Sequence, residues 1–120
     1  MGYWSEVHIY SNKQVHDRIL NVIKEFNERT EYPLKFEVIK TTYDEREDYQ
    51  IVFNWIKWYD YEEPINKIMK TLSDIEENGK EDDWCAFFRF GESEGDIETI
   101  RYGDERCWDY NVTYNIEFDG

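Results

Sequence analysis

The residues of this chain that could do chemistry are above all carboxylates, because 28 of its 120 residues are Asp or Glu. Two carboxylates act as general acid and general base only where burial or a nearby cation makes one differ from the other. The sequence shows no such reason for any pair. The spacing Glu37-x-x-Lys40 is a poor version of the acids and lysine of a metal-dependent nuclease. We therefore predict no catalytic residues and no enzymatic activity.

Candidate metal ligands are equally weak. The acids between Glu92 and Glu98 alternate as in a calcium loop, but the twelve-residue pattern is incomplete, which favours a solvated turn. Cys85 and Cys107 have no closely spaced Cys or His beside them, and His8 and His16 lack a ligand spacing. We expect no metal and no cofactor, with both cysteines in the core.

The charge pattern points to a partner. The net charge is −14, although 18% of the residues are aromatic and can build a core. Residues 1–60 carry 11 acids and 8 bases, or −3, whereas residues 61–120 carry 17 acids and 6 bases, or −11. Such a field favours a basic protein partner and disfavours direct binding to nucleic acid. The alternative interpretation is that the acidic surface only keeps the protein soluble.

The sequence also predicts a cytosolic protein. No apolar run approaches the length of a membrane span, and residues 1–6 lack the basic flank and apolar core of a signal peptide. Gly2 is followed by Glu6 where a myristoylation signal has Ser or Thr. We expect no attachment to a membrane.

The elements that must position the acids follow from hydrophobic periodicity. Alternation predicts a strand over 3–10, and Ser11-x-x-Gln14 has the form of a capping box at the start of a helix. Alternation resumes over 34–40 and over 49–58, where Tyr49, Ile51, Phe53 and Trp55 share one face. The acidic run 44–48 between these strands is too polar for burial, so we predict an exposed hairpin turn.

The second half continues with a helix and three strands. Asp60 and Glu63 have the spacing of an acidic capping box at the start of the helix. Alternation then predicts strands over 84–90, 97–102 and 108–118, the last being the most regular.

This order predicts an α+β fold in a single domain, residues 1–120. It is the order of a ferredoxin-like split βαβ unit (β-α-β-β-α-β) followed by a C-terminal β-hairpin. The antiparallel sheet would carry both helices on one face. Its opposite face would be open, either as a binding surface or as a dimer interface.

Aromatic residues lie beside acids where the third strand meets the second helix. Large rigid side chains with carboxylates around them suit a protein interface. We predict an anchor at Trp58 or Tyr59. The predicted partner-binding residues are Trp58, Tyr59, Asp60, Glu62, Glu63, Glu81, Asp82, Asp83, Glu92, Glu94 and Asp96.

Two segments carry a resemblance. The run Trp58-Tyr59-Asp60-Tyr61-Glu62-Glu63 and the later run from Trp84 to Glu92 resemble small acidic proteins encoded by bacteriophages, over about residues 1–100. The resemblance implies an inhibitor of host enzymes or host defence systems, such as an anti-CRISPR protein or an anti-restriction DNA mimic, acting in the host cytoplasm. It implies no catalytic residues and does not extend to 107–118.

Three hypotheses follow. The first is a non-enzymatic inhibitor that occupies the basic nucleic-acid-binding site of a host or defence protein. The alternative is a structural or assembly module that homodimerises through its open sheet face. The third, a small hydrolase or cation-binding protein, requires a carboxylate with a raised pKa or a bound metal.

Overall fold

In the computed structural model, residues 3–43 and 45–112 are described. One antiparallel sheet has the strand order β2-β3-β1-β4-β5. The α+β class predicted from the sequence is confirmed. The elements are β1 (Ser5–Ser11), α1 (Lys13–Arg29), β2 (Glu37–Tyr43), β3 (Arg46–Ile56), α2 (Glu63–Asn78), β4 (Trp84–Gly91) and β5 (Ile97–Gly103), followed by a short 3-10 helix (Glu105–Trp108).

Both helices pack on the same face of the sheet, which we call the helix face. Alternate residues of β1 and β3, such as Ile9 and Phe53, are fully buried there against Ile19 of α1 and Leu72 of α2. The apolar stripes of the two amphipathic helices and the alternating strands therefore close one hydrophobic core. No helix in residues 3–43 and 45–112 is long and apolar enough to cross a membrane.

The other face of the sheet, the second face, is partly covered. Ala86, Phe88 and Phe90 of β4 form a smaller apolar cluster there, and Tyr10 packs against it. The ring of Tyr110 stacks on that of Tyr10 with 4.4 Å between centroids. The prediction of a fully open face is therefore wrong where the chain after β5 crosses it.

The strand predicted over 108–118 is wrong in its described part. Asp104 accepts a hydrogen bond from the backbone N–H of Arg106 at 3.1 Å and caps the short 3-10 helix that ends at Trp108. Residues 109–112 form no strand, because Tyr110 is turned into an aromatic stack on the second face. Residues 113–118 lie outside the described residues.

Strand register places the loops at two ends of the sheet. Ser5 lies opposite Ile56 and Gly91, so the start of β1, the loop after β3 and the β4–β5 turn share one end. We call residues 3–5, 30–36, 54–63 and 91–97 the Tyr3 end. The opposite end, residues 11–13, 45–49, 79–85 and 103–110, is the Asn12 end, about 20 Å away along a seven-residue strand.

Candidate functional site

Tyr3 joins two of the predicted groups of acids. Its backbone N–H donates to the Tyr59 hydroxyl at 2.7 Å, and its own hydroxyl donates to Asp96 Oδ2 at 2.6 Å. The backbone N–H of Ser93 donates to the Tyr3 hydroxyl at 2.8 Å. The loop after β3 and the β4–β5 turn are therefore tied together at the Tyr3 end, although 93 positions separate Tyr3 from Asp96.

Four of the predicted acids are presented at this end. Asp60 and Glu62 follow β3, and Glu92 and Glu94 lie in the β4–β5 turn; all four side chains are exposed. None of them forms an ion pair with any residue in the described part of the chain. The four acids are therefore charges available to a cationic partner.

Two other predicted acids at this end already have internal partners. Arg89 donates to both oxygens of Asp96, at 2.9 and 3.1 Å, and this guanidinium, together with the Tyr3 hydroxyl, lowers the pKa of Asp96. Glu63 pairs with Lys67 and Arg29, each at 3.0 Å, which lowers its pKa as well. These two carboxylates stay ionised, but internal cations offset their charge.

The structure separates the two residues predicted as the anchor: Trp58 is buried and Tyr59 lies at the surface. Trp58 is 7% exposed and packs between Phe53 and Phe87, at centroid distances of 5.4 and 5.7 Å, so it belongs to the core. Tyr59 is half-buried and stacks on the exposed ring of Tyr61 at 5.4 Å. The predicted third strand extended to residue 58, whereas β3 ends at Ile56, so strand alternation does not apply to Trp58 and Tyr59. The stacked tyrosine pair is the aromatic surface next to the acids.

The third predicted group of acids lies at the Asn12 end, away from the other two. Asp83 is buried, where it accepts hydrogen bonds from the Asn12 amide at 3.0 Å and from the backbone N–H of Lys80 at 3.2 Å. Asp82 pairs with Arg106 at 3.2 Å. Glu81 is exposed on the same loop. Asp83 holds the loop in place, and the predicted residues therefore do not lie on one surface.

Sequence reasoning missed an aromatic groove at the Tyr3 end, with a volume of about 530 Å³. Trp4, Tyr32, Trp55 and Glu62 line it together with lysines, and the Lys57 ammonium lies 5.1 Å from the Trp4 ring. The presence of Glu62 in the lining joins the groove to the exposed acids. Aromatic-lined grooves with a polar rim are typical of binding sites for proteins and peptides.

Trp55 owes its exposure to an irregular register. Ser5 lies opposite Ile56 while Val7 lies opposite Phe53, so β3 has an extra residue at this point. Trp55 has a φ of 55°, which is rare for a bulky residue, and its side chain is 61% exposed. The prediction that Trp55 shares the buried face of Phe53 is wrong, because the bulge breaks the alternation. No local signal in the sequence announces the bulge.

The cysteines and histidines are the remaining candidates for chemistry. Cys85 and Cys107 are buried, as predicted, and burial raises the pKa of the Cys85 thiol to about 12. Desolvation lowers the pKa of both His8 and His16. Within residues 3–43 and 45–112, no three His, Cys, Asp or Glu side chains are grouped as metal ligands would be.

No family model, curated protein or solved structure matches this chain. What the Tyr3 end can do therefore follows from its own residues. It combines four exposed carboxylates, a stacked tyrosine pair and an aromatic groove. Such a surface suits contact with a protein that presents Arg and Lys.

Proposed function

We propose that this chain is a non-enzymatic binding protein whose Tyr3 end occupies a basic site on a nucleic-acid-handling protein and inhibits it. The observation that carries the proposal is the hydrogen bonding of Tyr3, which joins two acidic loops into one surface. Four carboxylates of that surface have no internal cation partner in the described chain.

Aromatic rings and acids make different contributions to the proposed binding. Exposed Tyr61 and Trp55 can bury large areas with little loss of side-chain freedom, which is the role of anchors in protein interfaces. The surrounding acids accelerate encounter with a cationic surface and select against acidic partners.

The basic site is proposed to be one that normally holds nucleic acid. Duplex DNA carries one charge per roughly 1.7 Å of its axis, so exposed carboxylates on a rigid fold can replace phosphates in a basic groove. The resemblance to small acidic bacteriophage proteins favours a host enzyme or a defence system as the target, as for anti-CRISPR and anti-restriction DNA mimics. Such a protein would act in the host cytoplasm.

The fold itself is proposed to be ferredoxin-like. The spatial order β2-β3-β1-β4, with α1 and α2 on one face, supports assignment of the first four strands and both helices to a split βαβ unit. β5 then extends the sheet beyond β4 as the second strand of a hairpin.

The test is competition with DNA. A restriction endonuclease and a Cas nuclease would be incubated with labelled duplex DNA, and the displacement of DNA by the purified chain would be followed at low and at high salt. We expect displacement that weakens as salt rises, because the contacts are ionic. Failure to displace DNA from either class of enzyme at low salt would overturn the proposal that the chain mimics DNA.

A pair of matched variants locates the surface. One variant reverses the presented acids, D60K/E62K/E92K/E94K, and the control reverses four exposed helix acids, E25K/E28K/E76K/E77K. Each replacement of an acid by lysine raises the net charge by two, so the net charge of both variants changes from −14 to −6. We expect the first variant to lose at least roughly a hundredfold in affinity and the control less than roughly tenfold. Equal losses would mean that only the overall field matters.

A further inference from the structure

The aromatic groove of the Tyr3 end contains three rings with free faces. Trp4, Tyr32 and Trp55 are 38%, 83% and 61% exposed. None of the three stacks on another ring within the described chain, whereas exposed Tyr61 stacks on Tyr59. Free ring faces gathered in one groove are surfaces on which planar groups stack. The groove therefore favours a ligand that contains a flat aromatic ring.

Two lysines make this groove basic on an otherwise acidic molecule. Lys35 and Lys57 line it together with one acid, Glu62, so its lining has a charge of +1 on a chain of −14. Neither ammonium forms an ion pair in residues 3–43 and 45–112. The Lys57 ammonium lies 5.1 Å from the centroid of the Trp4 ring, so charge and ring are neighbours. Such a pair complements a ligand in which an anionic group is attached to an aromatic ring.

The size and the other polar groups of the groove narrow the class of ligand. Its volume of about 530 Å³ lies within the roughly 300–1,000 Å³ of sites for small molecules. The side chains of Asn54 and Glu62 have no hydrogen-bond partner among the described residues. An amide pairs with the edge of a nucleobase, and a carboxylate accepts from the hydroxyls of a ribose. A phosphate monoester has close to two negative charges at neutral pH, which matches the two lysines.

We propose that the aromatic groove is a binding site for a nucleoside monophosphate, whose base stacks on the groove rings and whose phosphate binds Lys35 and Lys57. The backbone of Trp55 supports this assignment, because its φ of 55° costs free energy and such strain is concentrated at ligand-binding sites. A free nucleotide is favoured over a nucleic-acid strand, since each further phosphate is repelled by a chain of −14.

The test is equilibrium dialysis of the full chain against radiolabelled adenosine monophosphate (AMP), with unlabelled competitors. Adenosine lacks the phosphate, inorganic phosphate lacks the ring, and phenylacetate is a simple ring with one carboxylate. We expect AMP to bind at one site per chain and each competitor to bind at least roughly tenfold more weakly, because each makes only part of the contacts. The assay contains no partner protein, so its result is independent of the proposed inhibition.

Matched variants locate the site. K35E/K57E reverses the groove lysines, and the control K24E/K70E reverses two exposed lysines of the helices. Both pairs of substitutions change the net charge from −14 to −18, so they differ only in position. We expect K35E/K57E to weaken AMP binding by at least roughly tenfold and the control by less than roughly threefold.

A second pair of variants tests the rings. W55A removes a ring of the groove, whereas the control W108A removes a 70% exposed ring at the Asn12 end. We expect W55A alone to weaken AMP binding by at least roughly fivefold, because stacking on that ring is lost. Urea unfolding shows whether each variant keeps the fold, and Y32A replaces W55A if that variant does not.

AMP binding that is weakened in the groove variants and kept in both controls supports the proposal. The absence of AMP binding at millimolar concentration overturns it, as do equal losses in groove and control variants. Phenylacetate that binds as tightly as AMP would show that the groove accepts any anionic ring, and tighter binding of short single-stranded DNA would show that it holds a strand. Either result contradicts the assignment to a free nucleotide.

Discussion

The two ends of the sheet use the same residue types in different ways. At the Asn12 end, Arg46 binds Asp48 at 3.1 Å and Asp109 at 2.5 Å, and Arg106 binds Asp104 at 2.9 Å. At the Tyr3 end, Asp60, Glu62, Glu92 and Glu94 have no such partners in the described chain. An acidic composition therefore does not by itself define a binding surface. What matters is whether arginines of the same chain reach the acids.

The buried acid at the Asn12 end shows the structural use most clearly. Asp48 is 2% exposed, and besides Arg46 it accepts a hydrogen bond from the Tyr110 hydroxyl at 2.5 Å. The Tyr110 ring lies between Tyr10 and Trp84, at centroid distances of 4.4 and 5.8 Å. Asp48 thereby fixes the chain that follows β5 onto the second face, whereas Asp60, Glu62, Glu92 and Glu94 at the Tyr3 end form no ion pair within the described chain.

The largest expected effect on stability comes from replacing Asp48, a buried acid of the Asn12 end. D48A removes the buried carboxylate that accepts from Arg46 and Tyr110, so we expect the free energy of unfolding to fall by about 3 kcal/mol. E94A at the Tyr3 end should change it by less than about 0.5 kcal/mol, because an exposed, unpaired acid adds little stability. Urea unfolding followed by circular dichroism measures both. Similar losses in the two variants would remove the distinction between the ends.

Much of the fold could be predicted from the sequence. Hydrophobic periodicity in the sequence shows which side of a helix or strand faces the core, and this signal is local. The predictions of β1, β3, β4, β5 and both helices are accordingly confirmed within a few residues. The acidic loops at Asp60 and Glu92 could be predicted as exposed because they lie between elements. Their meeting at Tyr3 could not, since it depends on strand register.

The errors arise where a distant residue satisfies a polar group. Asp48 was predicted as part of a solvated turn, but Tyr110, 62 positions away, buries it. Neither predicted capping box forms: the first helix begins after Asn12 and the second after Glu62, without a side-chain cap. The Asn12 amide binds Asp83 instead. Local patterns give no information about such contacts, because their partners are not neighbours in the sequence.

A smaller effect on stability is expected from replacing Trp55 at the Tyr3 end. The backbone of Trp55 has a φ of 55°, where glycine is unstrained and other residues lose about 1 kcal/mol or more. We expect W55G to be about 1 kcal/mol more stable than W55A, although both remove the exposed ring. Thermal or urea unfolding of the two variants measures this difference. Equal stabilities would show that the bulge relaxes and does not hold Trp55 outward.

The smallest effect concerns pH. Because the pKa of Asp96 in the folded chain is lowered from its ordinary value of 3.8, ionised Asp96 favours folding above that value, and the benefit is lost as pH falls through the folded pKa. D96N should therefore be less stable than the wild type at neutral pH, and the two should converge in acid. Unfolding free energies measured from neutral to acidic pH provide the comparison. A difference that persists unchanged in acid would exclude ionisation as its cause.

The most direct test of the difference between the two ends is carboxyl labelling of the folded chain by carbodiimide and an amine, read by mass spectrometry. We predict fast labelling of Asp60, Glu62, Glu92 and Glu94 and slow labelling of Asp48 and Asp83, with a basic partner slowing only the first set. If Asp48 and Asp83 react as fast as the other four, or if the partner protects the Asn12 end instead, the account of a binding surface at the Tyr3 end is contradicted.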